Sequence, residues 1–280
     1  MGYIVDISKW NDKINWPVAA PQIELAICRV QYGSKLVDHL YNEHVTKLEQ
    51  YGIPHAAYAY GCFVSVADAI VEAKDFLVRV NPNSKFLVLD VEDDTVKSMD
   101  SKGNLGDLAK ASQAFIDTCK AAGWKVGFYV AHHMYGDYNL QSVQADFVWL
   151  PRYGTNDGNP QKKPSYPCDI WQYTDNGYID GIGRVDINLL EGNKDLNWYA
   201  GVPNKSYRIN IGDFNELTWA GDTKREVKNL FPDYGLWDGK IGEGHRLYLG
   251  DFNSKEWVDQ TFSTLKEHFS NYEMWIDEVK

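Results

Sequence analysis

The sequence predicts an α/β protein: an irregular (β/α)8 TIM-like barrel followed by a small α+β domain of ferredoxin-like type. Eight short apolar runs alternate with helix-like stretches across roughly the first 190 residues, a pattern typical of parallel strands joined by helices. No glycine-rich phosphate loop follows any of these runs, so a doubly wound open sheet is the weaker alternative. A segment that repeats near the C-terminus indicates a second domain.

The elements of the barrel follow from the spacing of apolar residues. Strands are predicted at residues 3–7, 25–30, 55–60, 86–92, 125–131, 147–151, 169–173 and 185–188. Helices are predicted at residues 41–51, 64–80 and 105–123, and Gly123 suits the C-terminal end of the last one. The final three strands lie too close together for full helices between them, so the barrel should be irregular there.

The second domain is predicted at residues 207–280, joined to a barrel domain of residues 1–200 by a linker at 201–206. The segment Tyr207-Arg-Ile-Asn-Ile-Gly-Asp-Phe-Asn215 recurs 38 residues later as His245-Arg-Leu-Tyr-Leu-Gly-Asp-Phe-Asn253. Each copy predicts a strand followed by a helix, at 216–230 and 254–269, and a last strand is predicted at 272–279. Asn215 and either Asn253 or Ser254 are the expected helix caps.

Composition and charge exclude several classes of partner. The net charge of −11 disfavours a nucleic-acid partner and attraction to anionic membranes. No apolar run reaches the length of a membrane span, and no basic segment precedes an apolar run at the N-terminus, so no signal peptide is expected. The four cysteines are far apart and predict free thiols in a reducing cytoplasm. The oligomeric state stays open.

Four acidic residues are predicted to meet at one end of the barrel. Asp90 and Glu92 end the strand at 86–92 and point to the same face, about 7 Å apart along the backbone. Carboxylates this close resist ionising together, so one keeps a proton, as acid-assisted glycoside cleavage requires. Asp6 and Asp186 belong to the first and eighth strands, which are neighbours in a barrel, so they should be adjacent.

Aromatic and polar residues at other strand ends predict a polysaccharide-binding groove around these acids. The candidates are Tyr58, Tyr60, Arg29, Tyr129, Trp149, Trp171, Gln172 and Tyr173. Filling of the barrel interior is the alternative role for each aromatic residue. His132 and His133 are consecutive and have no partner at ligand spacing, so neither a metal nor another cofactor is expected.

The same residues carry a family resemblance over residues 2–198. The motifs are Asp6-Ile-Ser8-Lys-Trp10, Ala59-Tyr60, Leu89-Asp90-Val-Glu92, Trp171-Gln172-Tyr173 and Val185-Asp186-Ile-Asn188. Their order resembles that of family 25 glycoside hydrolases, the muramidases found in phage endolysins and bacterial autolysins. The resemblance implies an irregular β/α barrel and hydrolysis of the β-1,4 bond between N-acetylmuramic acid and N-acetylglucosamine.

Residue roles combine this resemblance with the chemistry of the acid pair. Glu92 is expected to be the general acid, with its pKa raised by Asp90 and by partial burial. Asp90 is expected to stay ionised and either stabilise the oxocarbenium-like state or orient the 2-acetamido group of the substrate. Asp6 and Asp186 would position sugar and water, and Tyr60 would donate a hydrogen bond near the reacting carbon.

Arg29 occupies a position where the family often has a basic residue. A salt bridge between Arg29 and Asp6 is the alternative to a direct role in substrate binding.

The repeated segment resembles the SPOR family of peptidoglycan-binding domains, through Arg246-Leu-Tyr-Leu-Gly-Asp-Phe and the strand–helix repeat. The resemblance implies that residues 207–280 bind glycan strands on the face of a small sheet, with Tyr248, Trp257 and Trp275 as candidate contacts. Another wall-binding module or a dimerisation role are the alternatives.

The combined prediction is a modular peptidoglycan hydrolase. With no signal peptide visible, a phage endolysin is favoured, held in the host cytoplasm until lysis and then acting on the cell wall. The alternatives are a bacterial autolysin, a non-catalytic glycan-binding protein built on a hydrolase barrel, and another barrel glycosidase, for example one acting on chitin.

Overall fold

The computed structural model describes residues 2–201, 206–252 and 254–279. The chain divides into a first unit, Met1–Val202, and a second unit, Pro203–Lys280. Most of the predicted linker, residues 202–205, and the predicted cap Asn253 lie outside the described residues. Within the described part of the chain, no helix combines the length and the apolar character needed to cross a membrane.

The strands of the first unit form one sheet that closes on itself. Its described strands are β1 (Tyr3–Ile7), β2 (Ile23–Tyr32), β3 (Leu36–Val37), β4 (His55–Tyr60), β5 (Leu87–Val91), β6 (Val126–Val130), β7 (Phe147–Pro151), β8 (Ile170–Ile179) and β9 (Gly183–Leu190). The order is β1-β9-β8-β7-β6-β5-β4-β2, closed by pairing of β1 with β2, and β3 extends the edge of β2. The predicted barrel is therefore confirmed, with eight strands in the ring among the described residues.

The eighth strand of the ring runs against its neighbours. β9 is antiparallel to both β8 and β1, whereas the other ring pairs are parallel. Only residues 180–182 separate β8 from β9, which is enough for a hairpin but too few for a parallel crossover. The predicted irregularity is confirmed, but the expectation that this strand would be parallel is wrong.

Helices surround the barrel of the first unit. They are α1 (Trp16–Ala19), α2 (Tyr41–Gln50), α3 (Val66–Arg79), α4 (Asp93–Asp100), α5 (Leu108–Ala121) and α6 (Leu196–Ala200). The predicted helix at 105–123 begins with a 3-10 turn, Leu105–Asp107, and continues as α5. Helix α4 was not predicted, because most of its eight residues are polar and few of them are buried.

Alternating side chains along the strands build two apolar layers. Leu25 and Ile27 of β2 pack inside the barrel with Phe147 and Trp149 of β7. Intervening residues such as Cys28 face outward and join the larger core beneath the helices. The inside is thus filled by side chains except where polar residues gather at one end.

The second unit is a four-stranded antiparallel sheet with two helices, in the order β-α-β-β-α-β. Its elements are β10 (Ser206–Phe214), α7 (Leu217–Leu230), β11 (Leu236–Ile241), β12 (Gly244–Phe252), α8 (Lys255–His268) and β13 (Met274–Val279). The sheet order is β11-β12-β10-β13, and β11 was not predicted. Helix residues such as Val227 and Leu265 cover one face of the sheet, packing on Ile209, Ile211 and Leu247.

Ser254 caps α8 by accepting a hydrogen bond from the backbone N–H of Trp257 at 3.3 Å, as predicted. At α7 the cap position is Glu216, which makes no side-chain capping bond, so the prediction that Asn215 caps this helix is wrong.

Candidate active site

A polar cavity of about 180 Å³ lies at one end of the barrel, where the parallel strands terminate. Its lining consists of the carboxylic acids Asp6, Asp90, Glu92, Asp175 and Asp186 together with Tyr58, Tyr129, Trp149, Tyr153 and Gln172. All four of the predicted acids are therefore brought together. In (β/α)8 barrels this end of the strands is where catalytic groups gather.

Asp90 and Glu92 lie where β5 ends and α4 begins. Asp90 is a buried residue of β5, and Glu92 stands half-buried immediately before α4. The backbone N–H of Glu92 donates to Thr95 Oγ1 at 3.1 Å, and Thr95 Oγ1 donates to the carbonyl oxygen of Gly61 at 2.6 Å. These two bonds fix the chain that presents Glu92 to the cavity.

The carboxyl groups of Asp90 and Glu92 are hydrogen-bonded to each other, and the pair titrates as a unit. Burial raises the pKa of Glu92 to about 7, while its hydrogen bond with Asp90 opposes that rise. Burial, and then the charge of Glu92, raises the pKa of Asp90 well above its ordinary value. Asp90 was expected to raise the pKa of Glu92, but burial is the main cause of that rise and the bond to Asp90 opposes it. The raised pKa of Asp90 likewise disfavours the ionised form that was expected for it.

Asp6 and Asp186 lie directly opposite each other in the antiparallel pair of β1 and β9, so their predicted adjacency is confirmed. Asp6 is buried and accepts hydrogen bonds from Asn188 Nδ2 at 2.9 Å and from Gln172 Nε2 at 3.0 Å and 3.2 Å. Burial raises the pKa of Asp6, although these bonds partly oppose it. Burial and the neighbouring Asp6 raise the pKa of Asp186 to about 9.

A network of amides and aromatic groups holds Asp6 in place. Gln172 Oε1 accepts hydrogen bonds from the hydroxyl groups of Tyr129 at 3.0 Å and Tyr153 at 2.5 Å. Asn188 Oδ1 accepts from the indole N–H of Trp149 at 2.8 Å. Because both amide oxygens are occupied as acceptors, both amide nitrogens are oriented to donate to Asp6.

Two of the predicted groove residues, Trp171 and Tyr173, lie on the outer face of the barrel. Both are buried in the core beneath the helices, and the indole N–H of Trp171 donates to the carbonyl oxygen of Arg152 at 2.7 Å. Successive side chains of a strand alternate between faces, so Gln172 points inward and its two neighbours cannot. Their prediction as groove residues is wrong.

Tyr60 and Arg29 are also absent from the cavity lining. The ring of Tyr60 stacks on that of Tyr32 at 4.5 Å, and its hydroxyl accepts from the backbone N–H of Asp94 at 3.4 Å. Arg29 Nε donates to Asp38 Oδ2 at 2.9 Å inside the protein. Arg29 therefore forms its salt bridge with Asp38, and the alternative prediction of a salt bridge with Asp6 is wrong.

The sequence did not single out two residues that line the cavity, Tyr153 and Asp175, nor Asn188, which donates a hydrogen bond to Asp6. Tyr153 follows β7 by two residues and could have been found as another aromatic residue at a strand end. Asn188 belongs to a quoted motif but was given no role. Asp175 lies on the part of β8 beyond its predicted end, where the pairing with β9 shifts register, and no sequence pattern marks it.

Metal binding finds no support in the part of the chain that the structure describes. No group of three or more His, Cys, Asp or Glu side chains there is arranged to hold a metal ion.

Relatives of the chain are found among glycosidases. Residues 5–182, more than half of the chain, match the model for "Glycosyl hydrolases family 25". The uncharacterized protein YegX of Escherichia coli (strain K12) is 26% identical over 204 residues, which cover 67% of this chain and 69% of YegX. The lysozyme of Streptococcus phage Cp-1 is 31% identical over 162 residues, which cover 55% of this chain and 46% of the phage lysozyme.

A solved structure shares the fold. It is the catalytic domain of endolysin ply40 from bacteriophage P40 of Listeria monocytogenes, with a TM-score of 0.65 and 32% identity. The match covers 72% of this chain and 98% of that domain.

Proposed function

The chain belongs to glycosyl hydrolases family 25, and on that premise we propose that residues 1–200 are its catalytic domain, with Glu92 and Asp90 as the reacting pair. The protein is a lysozyme, a glycosidase that hydrolyses the peptidoglycan of bacterial cell walls. One observation carries the assignment of the site: two hydrogen-bonded, desolvated carboxyl groups face a cavity that three further acids also line.

Glu92 is the general acid. Its pKa of about 7 leaves a large protonated fraction at neutral pH, whereas an ordinary glutamic acid would be almost fully ionised there. The proton passes to the glycosidic oxygen as the bond to the anomeric carbon breaks.

Asp90 assists from the same side as Glu92. Carboxyl groups of retaining glycosidases are about 5 Å apart, and those of inverting glycosidases about 6.5–9.5 Å apart, with the reacting sugar between them. The hydrogen bond between Asp90 and Glu92 favours a mechanism in which the reacting sugar does not lie between these two groups. In this proposal the attacking group is the 2-acetamido oxygen of the substrate, and Asp90 orients the acetamido group for the attack.

Asp6 and Asp186 position the sugar and the water that completes hydrolysis. Because its pKa is raised to about 9, the carboxyl group of Asp186 can donate an O–H at neutral pH, whereas Asp6 accepts hydrogen bonds. Tyr58, Tyr129 and Trp149 give the wall its aromatic surface.

The bond that is cleaved is the β-1,4 linkage from N-acetylmuramic acid to N-acetylglucosamine. Mass spectrometry of the products from purified peptidoglycan tests this assignment. New reducing-end N-acetylmuramic acid is expected, whereas reducing-end N-acetylglucosamine would assign the other glycosidic bond and freed amines would assign an amidase or peptidase.

Residues 207–280 of the second unit form a ferredoxin-like, SPOR-like domain that binds the cell wall. Its β-α-β-β-α-β order and the one-sided packing of its helices support this reading, because the other face of the sheet stays uncovered by them. On that face the rings of Trp237 and Tyr248 stack with centroids 6.0 Å apart, and the Arg208 guanidinium lies 4.9 Å from the Trp237 ring. Flat rings flanked by guanidinium groups suit stacking and hydrogen bonding to sugars.

The other predicted contacts divide between the two faces. Trp275 lies on the uncovered face, where the Arg246 guanidinium is 4.4 Å from its ring. Trp257 belongs to α8 and packs instead against Phe252 and Tyr234. Its indole N–H donates to the hydroxyl group of Tyr234 at 2.9 Å.

Pull-down of the full-length protein with purified cell walls tests this domain. The double variant Trp237→Ala with Tyr248→Ala is expected to weaken wall binding about tenfold or more, given the worth of buried aromatic contacts. Trp219→Ala is the matched control, because Trp219 is an exposed aromatic residue on helix α7. Unchanged binding by the double variant would reject the sheet face as the wall contact.

The biological setting is that of a phage endolysin, supported by the phage origin of two of the relatives. An endolysin waits in the host cytoplasm until the membrane is opened. Cells that express the protein should therefore stay intact until the cytoplasmic membrane is permeabilised and then lyse rapidly, whereas an exported autolysin would act without permeabilisation.

A further inference from the structure

A second groove adjoins the catalytic cavity of the first unit. It has a volume of about 390 Å³, against about 180 Å³ for the cavity, and the two share Asp6, Tyr58, Asp175 and Asp186 in their walls. The remaining wall of the groove is formed by Ser8, Trp10, Asn11, Arg184 and Val185. Trp10 is 77% exposed, so its side chain is accessible to a ligand in the groove.

The groove contains a single guanidinium beside a concentration of acids. Among the described residues that line the cavity and the groove, Arg184 is the one cationic side chain, and five are carboxylic acids. Arg184 is therefore the group in this groove that can attract the negative charge of a ligand.

Hydrogen bonds hold Arg184 in position but leave part of its guanidinium group available to a ligand. Its Nε donates to the carbonyl oxygen of Asp175 at 3.0 Å, and its Nη2 donates to Asp175 Oδ1 at 3.5 Å. Asp175 is itself fixed by Asn156 Nδ2 at 2.6 Å, and the backbone of Arg184 by Asn11 Nδ2 at 3.2 Å. The Arg184 side chain is 67% exposed, and within the described residues its Nη1 has no hydrogen-bond partner.

We propose that this groove is a saccharide subsite in which Arg184 binds a carboxylate carried on the C3 oxygen of muramic acid. The inference deepens the proposed function and rests on it. Guanidinium pairs with carboxylate through two parallel N–H donors, and the exposed Trp10 ring offers a stacking face for the sugar in the same groove. Chitin-type glycans carry no carboxylate, so Arg184 favours muramyl polymers over them.

Two groups on the C3 oxygen supply this chemistry. In glycan without peptides it is the lactyl carboxylate itself, and in peptide-bearing glycan it is a carboxylate of the attached peptide. In both cases the ligand is a carboxylate on a chain that begins at the C3 oxygen of the sugar.

The test compares kcat/KM of the full-length enzyme on two peptide-free muramyl oligosaccharides, one with free lactyl carboxylates and one with these converted to methylamides. Wild type should prefer the acid about tenfold, the scale of one charge-assisted hydrogen bond, and Arg184→Gln should reduce that ratio to about one. The ratio for Arg184→Lys should fall between these two values, because lysine keeps the positive charge but lacks the two parallel N–H donors. The second arm makes the same comparison on peptide-bearing glycan, with the peptide carboxylates either free or converted to methylamides. An acid preference that Arg184→Gln loses only in this arm assigns the peptide carboxylate as the ligand.

Lys9→Gln is the matched control, because Lys9 Nζ lies 4.8 Å from the Trp10 ring and is a cation at the same edge. Its acid-to-amide ratio should match wild type. The proposal is overturned if Arg184→Gln keeps the wild-type ratio in both arms, or if Lys9→Gln loses as much of it, since diffuse attraction would then explain the preference. If wild type hydrolyses the methylamide substrate, the proposed function holds whatever the acid-to-amide ratio is. If it hydrolyses none of the substrates, both the proposed function and the role of Arg184 are refuted.

Discussion

Replacing Glu92 by glutamine should remove catalysis and at the same time stabilise the protein above neutral pH. Glutamine has almost the same shape and keeps an acceptor and a donor for Asp90, while the backbone bond to Thr95 is unaffected. It cannot give up a proton to a leaving oxygen. The loss of rate expected for a general acid is about 10²–10⁴-fold.

The stabilisation follows from the same desolvation. Burial raises the pKa of Glu92 from an ordinary 4.5 to about 7, so the protonated form is favoured in the folded state. The stability from this group is fully present below pH 4.5 and is lost as pH rises to about 7. Since one pKa unit corresponds to about 1.4 kcal/mol, ionised Glu92 costs the folded protein at most about 3 kcal/mol at pH 8, a cost that glutamine lacks.

Two measurements check both halves of this prediction: release of new reducing ends from peptidoglycan, and thermal unfolding at pH 5 and pH 8. The Tm of Glu92→Gln relative to wild type should be higher at pH 8 than at pH 5, by about 2–4 °C per kcal/mol. Asp93→Asn is the control, because Asp93 is exposed beside Glu92 and should leave the rate within a factor of a few. A rate above one-tenth of wild type for Glu92→Gln would remove Glu92 from the acid role, and a pH-independent Tm difference would refute the raised pKa.

Three further changes test the packing and the buried charge of the barrel. Gly127→Ala should lower the free energy of unfolding by about 1–3 kcal/mol in urea denaturation, because an added Cβ would lie 2.1 Å from Phe147 Cζ; an unchanged midpoint would contradict this. Tyr199→Phe should be neutral or stabilising by up to about 1 kcal/mol in the same assay, because the buried hydroxyl has no partner among the described residues, and a large loss would reveal a missed bond. Burial raises the pKa of Glu72 to about 8, so its stabilisation is lost as pH rises from about 4.5 to 8; Glu72→Gln should gain Tm over wild type between pH 6 and pH 9, and a constant difference would contradict the assignment.

Local patterns were sufficient for most of the barrel. The strands predicted at 3–7, 55–60 and 147–151 coincide with β1, β4 and β7, because short apolar runs bounded by turn residues have few alternative structures. The proximity of Asp6 and Asp186 also followed from the order of the strands, because the first and last strands of a closed barrel must be neighbours.

Local patterns were insufficient where a side chain had more than one available face. Trp171, Gln172 and Tyr173 could not all point inward, but only the register of β8 against β9 shows that Gln172 does. The same pairing shifts near Asp175 and brings an unmarked acid into the cavity.

The sequence by itself determined the closed order of strands, the family and the four acids at one end of the barrel, because these depend on residue type and spacing along the chain. The tertiary structure alone decided the direction of β9, which aromatic residues face the cavity, and that burial raises the pKa of Asp90 as well as that of Glu92. Each of these depends on burial and on partners distant in the chain, and neither quantity is a property of a local segment.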